Sequence, residues 1–407
     1  MYRPTLIYGH EQWILTEKTR SRIQSAEMRF LRRVARVTLR DKTRSSSIHE
    51  SLQIEPLLLH IERSQLRWLG HVLRMPQNRL PYQIFQAMST GKRPIGRPRT
   101  IPMRASSIDI HPNAKWAQNG LTVAGGNGQG TETNQLDHPF GLYVDDDQTI
   151  YVADCANHRI MEWKSGATNG KVVAGANGYG NGAHQLNRPV DVIIHKSDSL
   201  IISDYGNNRV VRWPRQNGTR GETMILNIAC YGLTMDNNGS LYVVDDRKHE
   251  VRRYKMGDTK ATVVAGGNGQ GQHRNQLSKP RYVFVDLDHS VYVSDWENHR
   301  VMKWEEDAKQ GIIVAGGQGR GNRRTQLSYP EGVVVDQLGT VYVADYENHR
   351  IMRWPKGATH GSVIVGGNSY GAQSNQLNYP VCLSFDRHGN LYVVDWGNHR
   401  VQKFDIE

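Results

Sequence analysis

Carboxylates are the first residues to invite a chemical reading. Tyr143-Val144-Asp145-Asp146 sets an aromatic residue just ahead of paired aspartates, a pattern able to hold divalent metals for nucleotidyl transfer. An aspartate and an arginine recur five residues apart at Asp154 and Arg159, Asp204 and Arg209, Asp295 and Arg300, Asp345 and Arg350, and Asp395 and Arg400, as an acid–base pair could. Histidines stand just before the arginine, or before what replaces it, at His158, His249, His299, His349 and His399, and imidazoles can ligate metals. "AGGNGQG" at 124–130 and 265–271 has the glycines of a phosphate cradle.

Which of these reactions is available depends on the elements that carry the residues. The aspartate recurs at Asp154, Asp204, Asp245, Asp295, Asp345 and Asp395, spaced by 50, 41, 50, 50 and 50 residues, so the chain is a repeat array. Each copy contains four short runs rich in Val, Ile, Tyr and Trp, separated by Gly, Asn, Asp or Pro. In the fifth they are 332–336, 340–345, 349–354 and 362–367, and they predict four antiparallel strands. Six four-stranded sheets bury their faces by radial stacking, which predicts an all-β, six-bladed propeller. The last copy stops at Phe404 after its third strand, and residues 116–126 match a fourth strand. Pairing the two ends would close the ring.

This register disposes of most of the chemistry. Asp145 falls at the end of a first strand, where an aspartate opens a turn by bonding its own backbone. A strand follows the glycine-rich loops, whereas a phosphate cradle needs a helix N-terminus. The Asp–Arg pair repeats around the ring, so a structural role is expected: bracing the turn between the second and third strands, worth at most about 1 kcal/mol where exposed. The histidines belong to separate blades, and no metal or cofactor is expected. Cys155, Cys230 and Cys382 form no C-x-x-C pair and read as free thiols.

The unit "YVADCANHRIMEW" at 151–163 and its copies resemble the NHL-repeat family over residues 115–407, with Asn157-His158-Arg159 as one instance of the signature turn. The resemblance implies a six-bladed propeller. Asn207-Asn208-Arg209 and Lys248-His249-Glu250 depart from the signature. Function is then expected where the copies differ on one shared face. The positions after the proline or its equivalent are Phe140, Val190, Tyr231, Arg281, Glu331 and Val381, and those after the repeated aspartate include Tyr205, Trp296, Tyr346 and Trp396. Aromatics interleaved with arginine suit a protein or peptide partner, and RNA as the alternative. The third copy lacks the glycine-rich loop, which leaves a notch near Tyr231, Asp246 and Lys248.

Some NHL proteins regulate RNA or act in ubiquitin ligation through added RING and B-box modules, as TRIM-NHL-like proteins do. Three unpaired cysteines do not supply those zinc modules. Related propellers include lyases and lactonases, and here Glu331 beside Arg281 is what the channel mouth offers such an enzyme. The expectation is a non-catalytic, monomeric binding propeller.

The basic charge is confined to the other end. Residues 1–105 hold 20 Lys+Arg against 7 Asp+Glu, whereas the remainder is nearly balanced within a net charge of +12. Residues 1–90 read as a basic helical segment and 91–114 as a basic linker. "LIYGHEQWILT", "LRWLGHVLRMPQNRLP" and "GKRPIGRPRT" resemble the region downstream of the catalytic core in non-long-terminal-repeat retrotransposon reverse transcriptases. The resemblance implies a fragment without polymerase palm motifs. Arg93, Arg97 and Arg99 would contact nucleic acid non-specifically, with steep salt dependence. No apolar run is long enough to cross a membrane and no signal peptide is evident, so an intracellular location is expected, cytoplasmic before nuclear.

Overall fold

The computed structural model describes residues 110–407 apart from 176, 196–197, 216–217 and 256–259. The expected helical segment, the reverse-transcriptase-like fragment and Arg93, Arg97 and Arg99 lie outside the described residues.

The described chain forms six four-stranded antiparallel sheets. The first contains β2 (Pro139–Val144), β3 (Ile150–Asp154), β4 (Arg159–Trp163) and β5 (Lys171–Gly175). The innermost strands of the sheets are β2, β6 (Pro189–His195), β10 (Cys230–Met235), β14 (Pro280–Val285), β18 (Pro330–Val335) and β22 (Pro380–Phe385). Each touches the next, and β22 returns to β2, so the sheets stand as blades around one axis. Second strands such as β3 are buried along their whole length, because neighbouring blades cover both faces. That is why they read as continuous apolar runs rather than alternating ones.

The ring closes as the chain ends predicted. β1 (Leu121–Gly125) pairs with β24 (Arg400–Phe404) and completes the sheet of β22 and β23 (Leu391–Asp395). The pairing continues outward: Ala117 donates to the Asp405 carbonyl at 2.8 Å, and Glu407 to that of Lys115 at 2.9 Å. Trp116 is buried, packs on Tyr342 and Phe385, and donates its indole N–H to the Gly389 carbonyl at 2.9 Å. Ile110 and Ala114 join the core although they fall within the stretch read as a linker, so packing into the propeller starts before residue 115.

Asp145 behaves as the register required. Its Oδ1 accepts the backbone N–H groups of Asp147 and Thr149 at 3.0 and 2.8 Å, and Arg215 of the second blade pairs with its Oδ2 at 2.6 Å. The carboxylate is committed to a turn and a contact between blades. Cys155, Cys230 and Cys382 are buried free thiols, and burial pushes Cys155 and Cys230 up to about 12, out of the reactive range. Among the described residues no helix is long and apolar enough to cross a membrane.

Candidate functional site at the centre of the loop face

The repeated residues build the face before the variable ones occupy it. In the fifth blade, Asp345 ends β19 (Val341–Asp345) and is fully buried. Its Oδ1 accepts the Ser328 backbone N–H at 2.7 Å, and its Oδ2 accepts Asn348 Nδ2 at 2.9 Å and Arg350 Nε at 2.7 Å. Asn348 and Arg350 then reach back to the preceding glycine-rich loop. Asn348 bonds the Gly321 carbonyl at 2.9 Å, and Arg350 bonds those of Asn322, Arg323 and Gln326 at 2.8, 3.4 and 3.3 Å.

The same network surrounds Asp154 with Arg159, Asp204 with Arg209, Asp295 with Arg300, and Asp395 with Arg400. The expectation of a turn brace is therefore corrected in scope. The pair is buried, and it ties a loop, a first-strand start and the turn together. The loops offer carbonyl oxygens to a cation, opposite in polarity to the N–H groups of a phosphate cradle.

The histidines act between blades. Each sits in the left-handed region, His349 at φ 51°, and its Nδ1 accepts a backbone N–H from the residue before the next blade's first strand. His158 accepts from Arg188 at 3.0 Å, His249 from Lys279 at 3.2 Å, His299 from Tyr329 at 3.2 Å, His349 from Tyr379 at 3.1 Å and His399 from His138 at 3.2 Å. The five stand in separate blades, and among the described residues His399 alone of them meets an imidazole outside the set, that of His138, with ring centroids 4.9 Å apart.

At the channel mouth the copies differ. Arg281 lies over Tyr231 at 4.4 Å and over Trp296 at 4.7 Å from the ring centroids. Its Nη1 is 3.4 Å from Asp246 Oδ2, and its Nε is 3.8 Å from Glu331 Oε1. Tyr231 meets Tyr205 at 5.7 Å, Tyr282 at 5.8 Å and Phe140 at 6.1 Å between ring centroids. Trp396 links Phe140 to Tyr346. Tyr231, Arg281, Trp296, Glu331, Phe140, Tyr205, Tyr346 and Trp396 thus form one connected cluster.

They do not form an exposed rim. Tyr231 and Glu331 are buried and the other six are half-buried. Trp296, Tyr346 and Trp396 also stack on Tyr329, Tyr379 and His138 of the following blades, so they pack between blades as well as toward the centre.

The electrostatics are unusual for a core. Burial, only partly offset by Arg281 and the Trp296 indole, pushes the Glu331 carboxyl up to about 7. Burial works against the Arg281 charge, but Tyr231, Glu331 and Asp246 together hold the guanidinium above its ordinary value. Tyr231 and Tyr282 are raised well above the usual phenol range, first by burial. Asp246 Oδ1, the Tyr282 hydroxyl and the Trp396 indole N–H are buried without a hydrogen-bond partner, while Glu331 faces the Trp296 indole N–H and Arg281 Nε, the latter at 3.8 Å, without a well-formed hydrogen bond to either.

Tyr282 was not singled out in the sequence, although a signal was present. One position further along the first strands the residues are Gly141, Asp191, Gly232, Tyr282, Gly332 and Cys382. Adjacent strands approach so closely there that a Cβ on Gly232 would lie 2.7 Å from the Arg281 carbonyl oxygen. A tyrosine or an aspartate among glycines marks a departure from the repeat. Asp191 uses its place to join blades: its Oδ2 accepts the Leu233 N–H at 2.8 Å.

The chain can now be set beside known proteins. A family model describing the NHL repeat matches residues 136–161, 327–353 and 377–404, in the first, fifth and sixth blades. The protein thus carries NHL repeats on a six-bladed β-propeller. A search of curated proteins gives no match. Among solved structures it is similar to a protein of unknown function from Bacteroides thetaiotaomicron, with 15% identity, a TM-score of 0.59, and 72% of this chain and 77% of that one covered. An auxiliary nutrient binding protein from the same organism gives 16%, 0.55, 76% and 77%. A gluconolactonase from Xanthomonas campestris gives 13%, 0.52, 77% and 99%. At such identities the likeness concerns the fold.

Proposed function

We propose that this NHL-repeat propeller is a non-catalytic binding protein whose loop face receives a protein or peptide partner, with an anchoring group of the partner seated against Arg281, Tyr231 and Trp296. One observation carries the reading: Asp246 Oδ1, the Tyr282 hydroxyl and the Trp396 indole N–H are buried in the central cluster without hydrogen-bond partners, and Glu331 is only loosely paired with Arg281 at 3.8 Å. Buried polar groups in a finished core are almost always paired, so a concentration of unpaired donors and acceptors marks a place completed from outside. Tryptophan, tyrosine and arginine are also the side chains that dominate binding energy at interfaces.

The third blade supplies the approach. Residues 227–229 alone separate β9 (Glu222–Leu226) from β10, where 126–138 separate β1 from β2, so the rim is lower beside Tyr205, Tyr231 and Asp246. An extended peptide entering there would meet aromatic walls and both signs of charge.

A second reading rests on Glu331. A carboxyl that titrates near neutrality is suited to general acid–base work, which would favour an enzyme. Capture of partners from peptide libraries by the wild type, by Arg281→Ala/Trp296→Ala and by Glu331→Gln separates the two. Binding predicts that the double variant loses the captured set while its thermal unfolding stays cooperative. If that set is unchanged, and lactone or lyase substrates are turned over by the wild type but not by Glu331→Gln, the enzyme reading replaces it.

A further inference from the structure

The seam between the last blade and the first carries side chains that the other seams lack. The two residues before a first strand are Asn187-Arg188, Ile228-Ala229, Ser278-Lys279, Ser328-Tyr329 and Asn378-Tyr379 elsewhere in the ring. At the closing seam they are Asp137-His138, opposite His399. The repeat thus supplies five internal controls for one place where two imidazoles and a carboxylate converge.

The geometry is compact. One ligand atom from each of Asp137, His138 and His399 lies within 4.8 Å of the others, and all three residues are half-buried, within reach of solvent. His138 Nδ1 is 2.5 Å from Asp137 Oδ1. The set is also held from behind. Gln129 donates to Asp137 Oδ1 at 3.0 Å, and the Asp137 backbone N–H is fixed by Asp154 Oδ1 at 2.7 Å. His399 is locked at φ 51°.

From this arrangement we infer that Asp137, His138 and His399 form a site for a borderline divalent transition metal such as Zn²⁺, which would pin the two ends of the ring together. Imidazole with carboxylate suits zinc, cobalt, nickel or copper rather than calcium or magnesium. Metal–ligand bonds of about 2.0–2.2 Å set tetrahedral ligand atoms roughly 3.4 Å apart, so the Asp137 Oδ1–His138 Nδ1 contact must open from 2.5 Å to admit the ion while the His399 nitrogen adjusts from within 4.8 Å. The metal takes the place of the proton shared by Asp137 and His138, which leaves to solvent, so binding weakens in acid. His399 contributes the lone pair it now offers to the His138 N–H. The ion would bridge residues 261 positions apart in sequence, across the seam that β1 and β24 close.

The test uses full-length, metal-free protein titrated with Co²⁺, Zn²⁺ and Mg²⁺. Expected results are a visible Co²⁺ absorption band, a rise in unfolding temperature with Zn²⁺ and none with Mg²⁺. Asp137→Ser/His138→Tyr installs the pair the fifth blade already uses, keeps the backbone N–H of the latch and should fold. It should lose both the band and the shift. His399→Asn, the residue the second blade has at Asn208, provides an independent variant with the same expected loss. Because other histidines lie elsewhere in the chain, the difference between proteins is what counts. Equal Co²⁺ spectra and equal Zn²⁺ shifts in wild type and both variants would overturn the site, as would a wild type that shows neither response at large metal excess.

Discussion

Asp345 shows how much one repeated residue carries. It accepts three hydrogen bonds, two from side chains that themselves hold four loop carbonyls. Removing it leaves Arg350 buried and unpaired, so Asp345→Ala should cost about 3–5 kcal/mol in urea unfolding. Asp245 is the contrast. It accepts Lys248 N–H at 3.3 Å, stands 3.6 Å from Arg252, and leaves its Oδ2 without a hydrogen-bond partner. Asp245→Ala should therefore cost much less, and equal losses at the two sites would contradict the network.

The histidine latches give a prediction with a sign. Burial lowers His158, His299, His349 and His399 below the usual imidazole value, and each accepts a hydrogen bond that protonation would remove. A depressed folded pKa means that the unfolded chain binds more protons. This contribution is therefore full above about pH 6.5 and is lost as pH falls through the folded values. Glu331 acts oppositely: its raised pKa contributes most below the unfolded carboxyl value and is lost as pH rises through about 7. Seven buried aspartates, Asp345 among them, are raised like Glu331 and oppose the histidines, so the sign is read from one latch at a time: the loss of stability caused by His349→Asn in urea unfolding should be larger at pH 7 than at pH 5. An equal loss at the two pH values would show that the latch does not titrate as described.

At the scale of elements, loop and motif vary together. The third blade lacks the long glycine-rich connection, and it is also the blade with Lys248 and Glu250 in place of the asparagine and arginine. Those side chains elsewhere hold loop carbonyls, so without the loop they have nothing to bond, and Glu250 instead pairs with Arg252 at 2.6 Å. Blade two keeps Asn207 and Arg209 on its own loop and loses only the histidine, whose target would lie in the shortened connection. The glycine ending every fourth strand but β9, which ends at Leu226, has a steric reason: at Gly316, φ is +67° and a Cβ would meet the His299 carbonyl oxygen at 2.5 Å. Closure depends on the segment before β1. Trp116→Ala removes a buried indole from between Tyr342 and Phe385 and should cost about 3–5 kcal/mol in urea unfolding. Leu121→Ala, at a largely exposed position, should cost little, which makes it the control for the seam.

At the scale of the molecule, six nearly equivalent blades place their differences on one axis. Periodicity, strand length and turn residues determined by themselves the six-bladed, end-closed propeller, because these features are local and repeat six times. The same register identified Asp145 as a turn residue. Tertiary structure alone decided that the aromatics of the loop face lean into a shared cluster around Arg281, that Tyr282 belongs to it, and that some of its polar atoms are left unpaired. It alone decided, too, that each motif histidine serves the next blade and that His399 meets Asp137 and His138. The reason is physical: contacts between blades join residues 30 or, at the seam, 261 positions apart, and spacing along the chain does not encode distances set by closing a ring.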